Sequence, residues 1–271
     1  MLERFNFVNV IKHEVRKSLL VNFVNKYSII SLVLWPVLAM STIWFTYQSF
    51  DIESLGIKYI DSYNDLFIFL IIGYTGQICF WNMTQSAWQM SIERVNGTLE
   101  MIHLSPTNVF IVCLGRSIGA LIQTIWVLAL FSVIVTTLLH SGETEISFFS
   151  IIFSCLMLIL PAICWGVFMN VIFLFTREAG FVFDICDAPM ELFSGVKIPI
   201  EIFPIWAFSI SAIFPLTYSL TIVRCILFDL DMYSSNIAFV ILINTLLMVA
   251  SLKLTKSALN YSRETGNFDK F

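Results

Sequence analysis

Long apolar runs alternate with short polar ones along this chain, and the apolar runs reach about 20 residues or more, enough for a helix to cross a hydrocarbon core of about 30 Å. Before the first run, Phe7, Val10, Ile11, Val15 and Leu19 recur at helical spacing, while Lys12, His13, Arg16 and Lys17 fall on the opposite side. That split predicts an amphipathic helix lying in the membrane interface. A first span follows over Tyr27–Tyr47, with Pro36 as a kink. The second starts near Leu66 and continues past the hydrocarbon through Trp81, Gln85 and Gln89. Span three covers Phe110–Leu139 and span four Phe148–Phe175. The region after Glu178 carries Pro189, Pro199, Pro204 and Pro215 and cannot be one straight helix. The pattern there predicts a fifth span ending near Val196, then short broken or re-entrant pieces in the outer leaflet. A sixth span over Asn236–Leu254 completes an all-α, six-span membrane protein.

Composition agrees. Hydrophobic residues make up 58% and charged residues 13%, where soluble domains carry about 25% charge, and the mean hydropathy is +0.85. Lys and Arg cluster on the side of the N-terminus and leave only Lys58, Lys197 and Arg224 on the other, so both termini should be cytoplasmic. Three regions result: a connecting helix over 1–26, the six-span domain over 27–256 and a cytoplasmic tail over 257–271. The six cysteines form no CxxC pair and no zinc spacing, and they read as small buried hydrophobes. The N-terminus lacks the pattern of a cleavable signal. Neither a G-x-S-x-G elbow nor a clustered set of histidines suggests an enzyme, and no basic stripe suggests nucleic acid.

Two polar stretches stand out. ERVNGTLEMIHLSP, residues 93–106, should face the cytoplasm between spans two and three. Gly97 permits a sharp reversal, Thr98 could cap the next helical turn, and Leu99 and Ile102 would form an apolar knob on a short helix over about 96–105. An ordinary capped loop is the plainer reading. The second stretch is FVFDICDAPMELF, where Asp184, Asp187 and Glu191 share one helix face. Acids at bilayer depth normally face a bundle interior, a partner or water. They would line a translocation pathway favouring a cationic or hydrogen-bonding substrate, sit at the interface, or pair with Arg177 or a partner's cation. Gln77, Asn82, Gln85 and Gln123 read as interhelical hydrogen-bonding groups.

The stretch Glu93-x-x-x-Gly97-Thr98-Leu99-Glu100 followed by Ser105-Pro106 resembles the first cytoplasmic loop of ABC-2 type permeases, the membrane subunits of one class of ATP-binding cassette exporters. Leu192 to Val196 with Pro199 and Pro204 is similar to the Ser-Gly-x-x-x-Pro region of that family, and Ile213 to Tyr218, with Arg224 beyond, resembles its Pro-Leu-Thr-Tyr signature. The resemblance covers nearly the whole chain. It implies a coupling helix seated on an ATPase subunit, with Gly97, Thr98, Leu99 and Glu100 at the centre of the contact and Glu93, Arg94 and Ile102 beside it. It also implies an outer gate or re-entrant region containing Ser194, Gly195, Pro199, Pro204, Pro215 and Tyr218. Two ATPase subunits and a second permease, identical or paralogous, would complete a complex in the cell membrane. The chain has no phosphate-binding G-x-x-x-x-G-K-[ST] loop, so ATP and Mg would bind the partner. The resemblance points to a drug-like small molecule or peptide as substrate. The competing reading is an ion-coupled secondary transporter that uses the acidic face of span five.

Overall fold

The computed structural model describes residues 7–23, 63–98, 107–140, 148–176, 178–228 and 234–265, with isolated positions at 30, 34–39, 41–42, 45, 101 and 230. Among them every regular element is helical: α1 (Phe7–Phe23), α2 (Tyr63–Val95), α3 (Val109–His140), α4 (Phe148–Phe175), α5 (Ala179–Phe193), a 3-10 turn (Ile200–Ile202), α6 (Ile205–Ser211), α7 (Pro215–Leu227) and α8 (Ser234–Thr265). The expected first span lies largely outside the described residues. Its described positions at 34–39 and 41–42 are helical.

α2 is the axis of the bundle. Its 33 residues reach about 50 Å, and 83% of its apolar window is buried, against 11% for α8. The polar groups that make α2 a poorer lipid helix are therefore inside, and α8 presents Phe239, Leu242, Leu246 and Val249 outward. α3, α4 and α7 pack around α2 through a core that includes Ile72, Phe80, Met83, Phe131, Leu158, Met169 and Leu216.

Among the described residues four helices, namely α2, α3, α4 and α8, are long and apolar enough to cross a membrane, and a fifth crossing results if the bent pair α6–α7 is counted as one. The expected fifth span is shorter than anticipated. α5 has 15 residues, about 22 Å of helix. It stops where Gly195 takes φ +78°, a left-handed turn that ends a helix without the Cβ clash other residues would meet. α6 and α7 then meet at 96°, with Pro215 opening α7 as its first-turn proline. The expectation of broken pieces after span five agrees with this geometry. α8 runs through Thr265 into the stretch expected as a tail.

α1 is a helix, but its packed face differs from the anticipated apolar stripe. It lies on α3, where an ideal Cβ added at Gly115 would sit 3.1 Å from Glu14 Cβ and one at Gly119 would sit 2.9 Å from Ser18 Cβ. Two glycines four residues apart let the backbones close in. The contact face thus includes Glu14 and Ser18 as well as Ile11 and Val15, while Phe7 and Leu19 are exposed. Close backbone approach selected this face, so apolar character alone gave an incomplete outline.

Gly119→Leu should push α1 away from α3. Overpacking of this kind costs about 1–3 kcal/mol, so the purified protein should lose thermal stability, read as a lower aggregation midpoint in detergent, with Gly119→Ala intermediate.

Candidate functional site

The final turn of α2 carries Glu93 and Arg94, and consecutive helix positions project about 100° apart. Glu93 is 9% exposed and accepts from Lys17 on α1 and from Arg116 Nη2 on α3. Arg116 is 3% exposed, and its Nε lies 3.5 Å from Glu14 Oε2. Arg94 points the other way. Its guanidinium donates to the carbonyls of Phe173 (3.1 Å), Leu174 (2.5 Å) and Thr176. Those carbonyls belong to the end of α4, where helical partners run out and a cation is favoured. One end of α2 is thereby fastened to α1, α3 and α4.

Beyond this fastening the chain turns outward. Asn96 and Gly97 donate backbone N–H groups to Ile92 and Arg94 at 3.0 Å, and Gly97 has φ +71° with no atom within 4 Å of an added Cβ. The Thr98 hydroxyl donates to the Glu93 carbonyl at 3.2 Å, closing α2, and the element it was expected to cap lies largely outside the described residues. Gly97 and Thr98 are exposed, and Met101 is 70% exposed. Leu99, Glu100 and Ile102 lie outside the described residues. The group expected from the sequence thus divides, with Glu93 and Arg94 facing inward and Gly97 and Thr98 facing out.

α5 runs antiparallel along α2. Near its start, Gly180 lies 3.7 Å from the Trp88 ring, measured from an added Cβ. Phe183 makes edge contacts with Trp81 at 4.6 Å and Trp88 at 5.7 Å. The three acids meet different surroundings: Asp184 is exposed, Asp187 is 5% exposed and accepts from Gln77 Nε2 at 3.4 Å, and Glu191 pairs with Lys197 at 2.6 Å. Gln77 lies within a turn of the middle of α2, so Asp187 is level with the centre of the long helix and away from its ends. Arg177, the intramolecular partner considered for this group, lies outside the described residues.

At the opposite end of α2, Ser194 is buried, and Gly195 turns the chain so that the Val196 carbonyl approaches Gly73. A Cβ at Gly73 would lie 2.1 Å from that oxygen, so only glycine fits without movement. Arg224 of α7, 5% exposed, lies 3.6 Å over the Phe69 ring and donates through Nη2 to the Phe69 and Val196 carbonyls, each at 3.4 Å. Pro199 and Pro204 precede the 3-10 turn and α6. The Tyr218 hydroxyl donates to the Ala212 carbonyl at 3.3 Å while its ring stacks on Phe239 at 5.5 Å. Arg224 thus gathers Phe69, Gly73 and the Gly195–Val196 turn, while Pro199, Pro204 and Pro215 start the short helices that follow. The sequence signal for Arg224 was a single cation in an apolar, proline-opened helix.

Between these ends lies a cavity of about 690 Å³, walled by one face of α2 and reached by Glu14 and Arg116 at one side and Glu191 at another. Tyr74, Gln77, Trp81, Gln85 and Gln89 follow one another at intervals of three and four along that face, with Ile78 beside Gln77, the spacing that puts residues on one side of a helix. Trp35, in the stretch expected as the first span, and Gln123 of α3 also line it. Gln85 and Gln123, read from the sequence as interhelical hydrogen-bonding groups, face this space. Arg116, Trp81 and Trp88 were missed as cavity or cluster residues, because periodicity does not say which neighbour a helix face will meet.

Glu93→Gln should lower stability by about 3–5 kcal/mol, since removing one member of a buried charged group strands another. Adding Arg116→Gln to that variant should cost much less than Arg116→Gln alone. The check is a double-mutant cycle on thermal stability in detergent. Additive losses would show that the two charges act independently.

The sequence pattern described as ABC-2 type transporter matches residues 7–228, from the first residue of α1 to the end of α7. No curated protein matches the chain. The matched range contains the Glu93–Arg94 junction, the acidic face of α5 and the Arg224 turn, and together with the long apolar helices it makes this a multi-pass membrane component of an ABC transporter. The chain belongs to the ABC-2 type transporter family.

Proposed function

We propose that this permease forms half of an export pathway and is driven by a separate ATPase subunit that docks on the 93–102 stretch. One observation carries the reading: the exposed turn at Gly97–Thr98 follows directly on the helix end that Glu93 and Arg94 fasten to α1, α3 and α4. Force applied to such a turn passes into the bundle instead of being lost in a loose loop. α2, the helix that would transmit it, also supplies the main wall of the cavity.

In this scheme the 93–102 side is cytoplasmic, as are both termini, and the membrane is the cell membrane. Two ATPase subunits supply ATP and Mg, and a second permease, identical or paralogous, provides the facing half of the pathway. Asp184, Asp187 and Glu191 lie along the route on α5. The Glu191–Lys197 pair closes its outer part, and the turn assembly of Ser194, Gly195, Pro199, Pro204, Pro215 and Tyr218 forms the outer gate. Substrate leaves the cytoplasm, with a drug-like small molecule or peptide as the cargo. Closure of the ATPase pair would shift α2 and α3 against α5 and change access to the cavity.

Mild purification of the chain from its native membrane should bring down an ATPase in stoichiometric amount, and replacing Leu99 and Glu100 by alanine should release it without lowering permease yield. Recovery without any ATPase, together with flux driven by a proton or sodium gradient alone, would favour an ion-coupled carrier centred on the acids of α5. In the exporter, Glu191→Gln should reduce transport in vesicles by more than it reduces the amount of protein. Equal losses would remove Glu191 from the pathway.

A further inference from the structure

The cavity has the size of a drug-like ligand site, where about 300–1,000 Å³ is usual. Its wall combines carboxamides and indoles on one helix, Gln77, Asn82, Gln85 and Gln89 interleaved with Trp81 and Trp88. The charges that reach it are already matched. Glu191 is held by Lys197, and the charge of Arg116 by Glu93 and Glu14, although its Nη1 and Nε have no hydrogen-bond partner. Asp187 is turned to Gln77, and neither it nor Asp184 lines the space. A charged ligand would leave water and find no uncompensated opposite charge among the described lining residues.

Hydrogen-bonding capacity is what remains open. Gln77 is 6% exposed, and its Oε1 has no partner, while the buried Nδ2 of Asn82 also has none. One is an acceptor awaiting a donor and the other a donor awaiting an acceptor, and a buried polar atom left unpaired is destabilising. A carboxamide offers both functions, as does every peptide unit. Indole faces take apolar side chains between such polar points.

We propose that this cavity binds an uncharged, amide-rich amphipathic ligand of the short apolar peptide class, with its amides on the α2 carboxamides and its side chains on Trp81 and Trp88. The inference rests on the exporter reading for its meaning as a substrate site. It narrows the choice between cationic and hydrogen-bonding cargo to the latter.

The test uses the full chain purified from its native membrane with its bound subunits, reconstituted in nanodiscs, with empty nanodiscs as the partition control. Equilibrium dialysis compares the capped peptide N-acetyl-Ala-Leu-Ala-Leu-amide with the same peptide uncapped and with tetraphenylphosphonium. The capped peptide should bind saturably and more tightly than the other two. Gln85→Leu combined with Gln89→Leu should weaken it at least tenfold, and Trp81→Ala should weaken it while the protein keeps its elution profile. Tighter binding of tetraphenylphosphonium, lost in Glu191→Gln, would overturn the proposal in favour of a cation site. Absence of saturable capped-peptide binding in a preparation that retains its ATPase would overturn it and leave the exporter reading standing. Peptide binding in a preparation that lacks any ATPase would support the site and count against the exporter.

Discussion

A carboxylate buried at the end of the central helix has to be neutralised, and the arrangement at one end of this molecule follows from that requirement. Glu93 draws Lys17 from α1 and Arg116 from α3, and Arg116 brings Glu14 with it. The helix α1 is not held by apolar contact alone, because its packed face carries the charge this group needs and the small Ser18 that lets it approach Gly119. Arg94, the next residue, uses its guanidinium on the terminal carbonyls of α4. Two adjacent side chains of opposite charge thus bring three other helices to one helix end.

The far end of α2 answers a similar demand with different chemistry. Arg224 is buried against an aromatic face and two backbone carbonyls, one from α2 itself and one from the turn after α5. That turn reaches α2 only because Gly73 has no side chain in its way and Gly195 accepts a left-handed backbone. α2 is therefore bound to α1, α3 and α4 at one end and to the α5–α7 connection at the other. In the proposed scheme a displacement at either end would be carried by a continuous, well-buried helix, and a contact at the exposed Gly97–Thr98 turn would reach the cavity that lies between the two fastenings.

The cavity lies beside a face of α2 that is both polar and aromatic. Trp81 and Trp88 are held by Phe183 of α5, so the indoles are positioned before any ligand arrives. Paired charges at the margins, Arg116 with its acids and Glu191 with Lys197, leave the wall dominated by groups that donate or accept hydrogen bonds. Such a wall distinguishes ligands by the number and direction of their amides more than by their charge.

Much of the fold was legible in the sequence because hydrocarbon imposes length and apolarity on any helix that crosses it. Span four was placed at its observed limits, and spans two, three and six within a few residues at their starts, while the prolines after Glu178 foretold a broken path. The three motif stretches also identified the family, since residue types at fixed spacing survive in the linear chain. Periodicity could not show which residues would meet across helices. The resemblance set Glu93 and Arg94 at the edge of the ATPase contact, and tertiary packing also makes them the fastening of four helices. Periodicity grouped Asp184, Asp187 and Glu191 on one face, where packing leaves one exposed, gives one to Gln77 and one to Lys197. The expected span ending near Val196 became a shorter α5 because a glycine turn and a buried arginine stop it. Sequence determined which segments are helices suited to lipid, because that depends on each segment's own composition. Only the tertiary structure decided where the charges go, because a buried charge is settled by whichever partner the packing brings within reach.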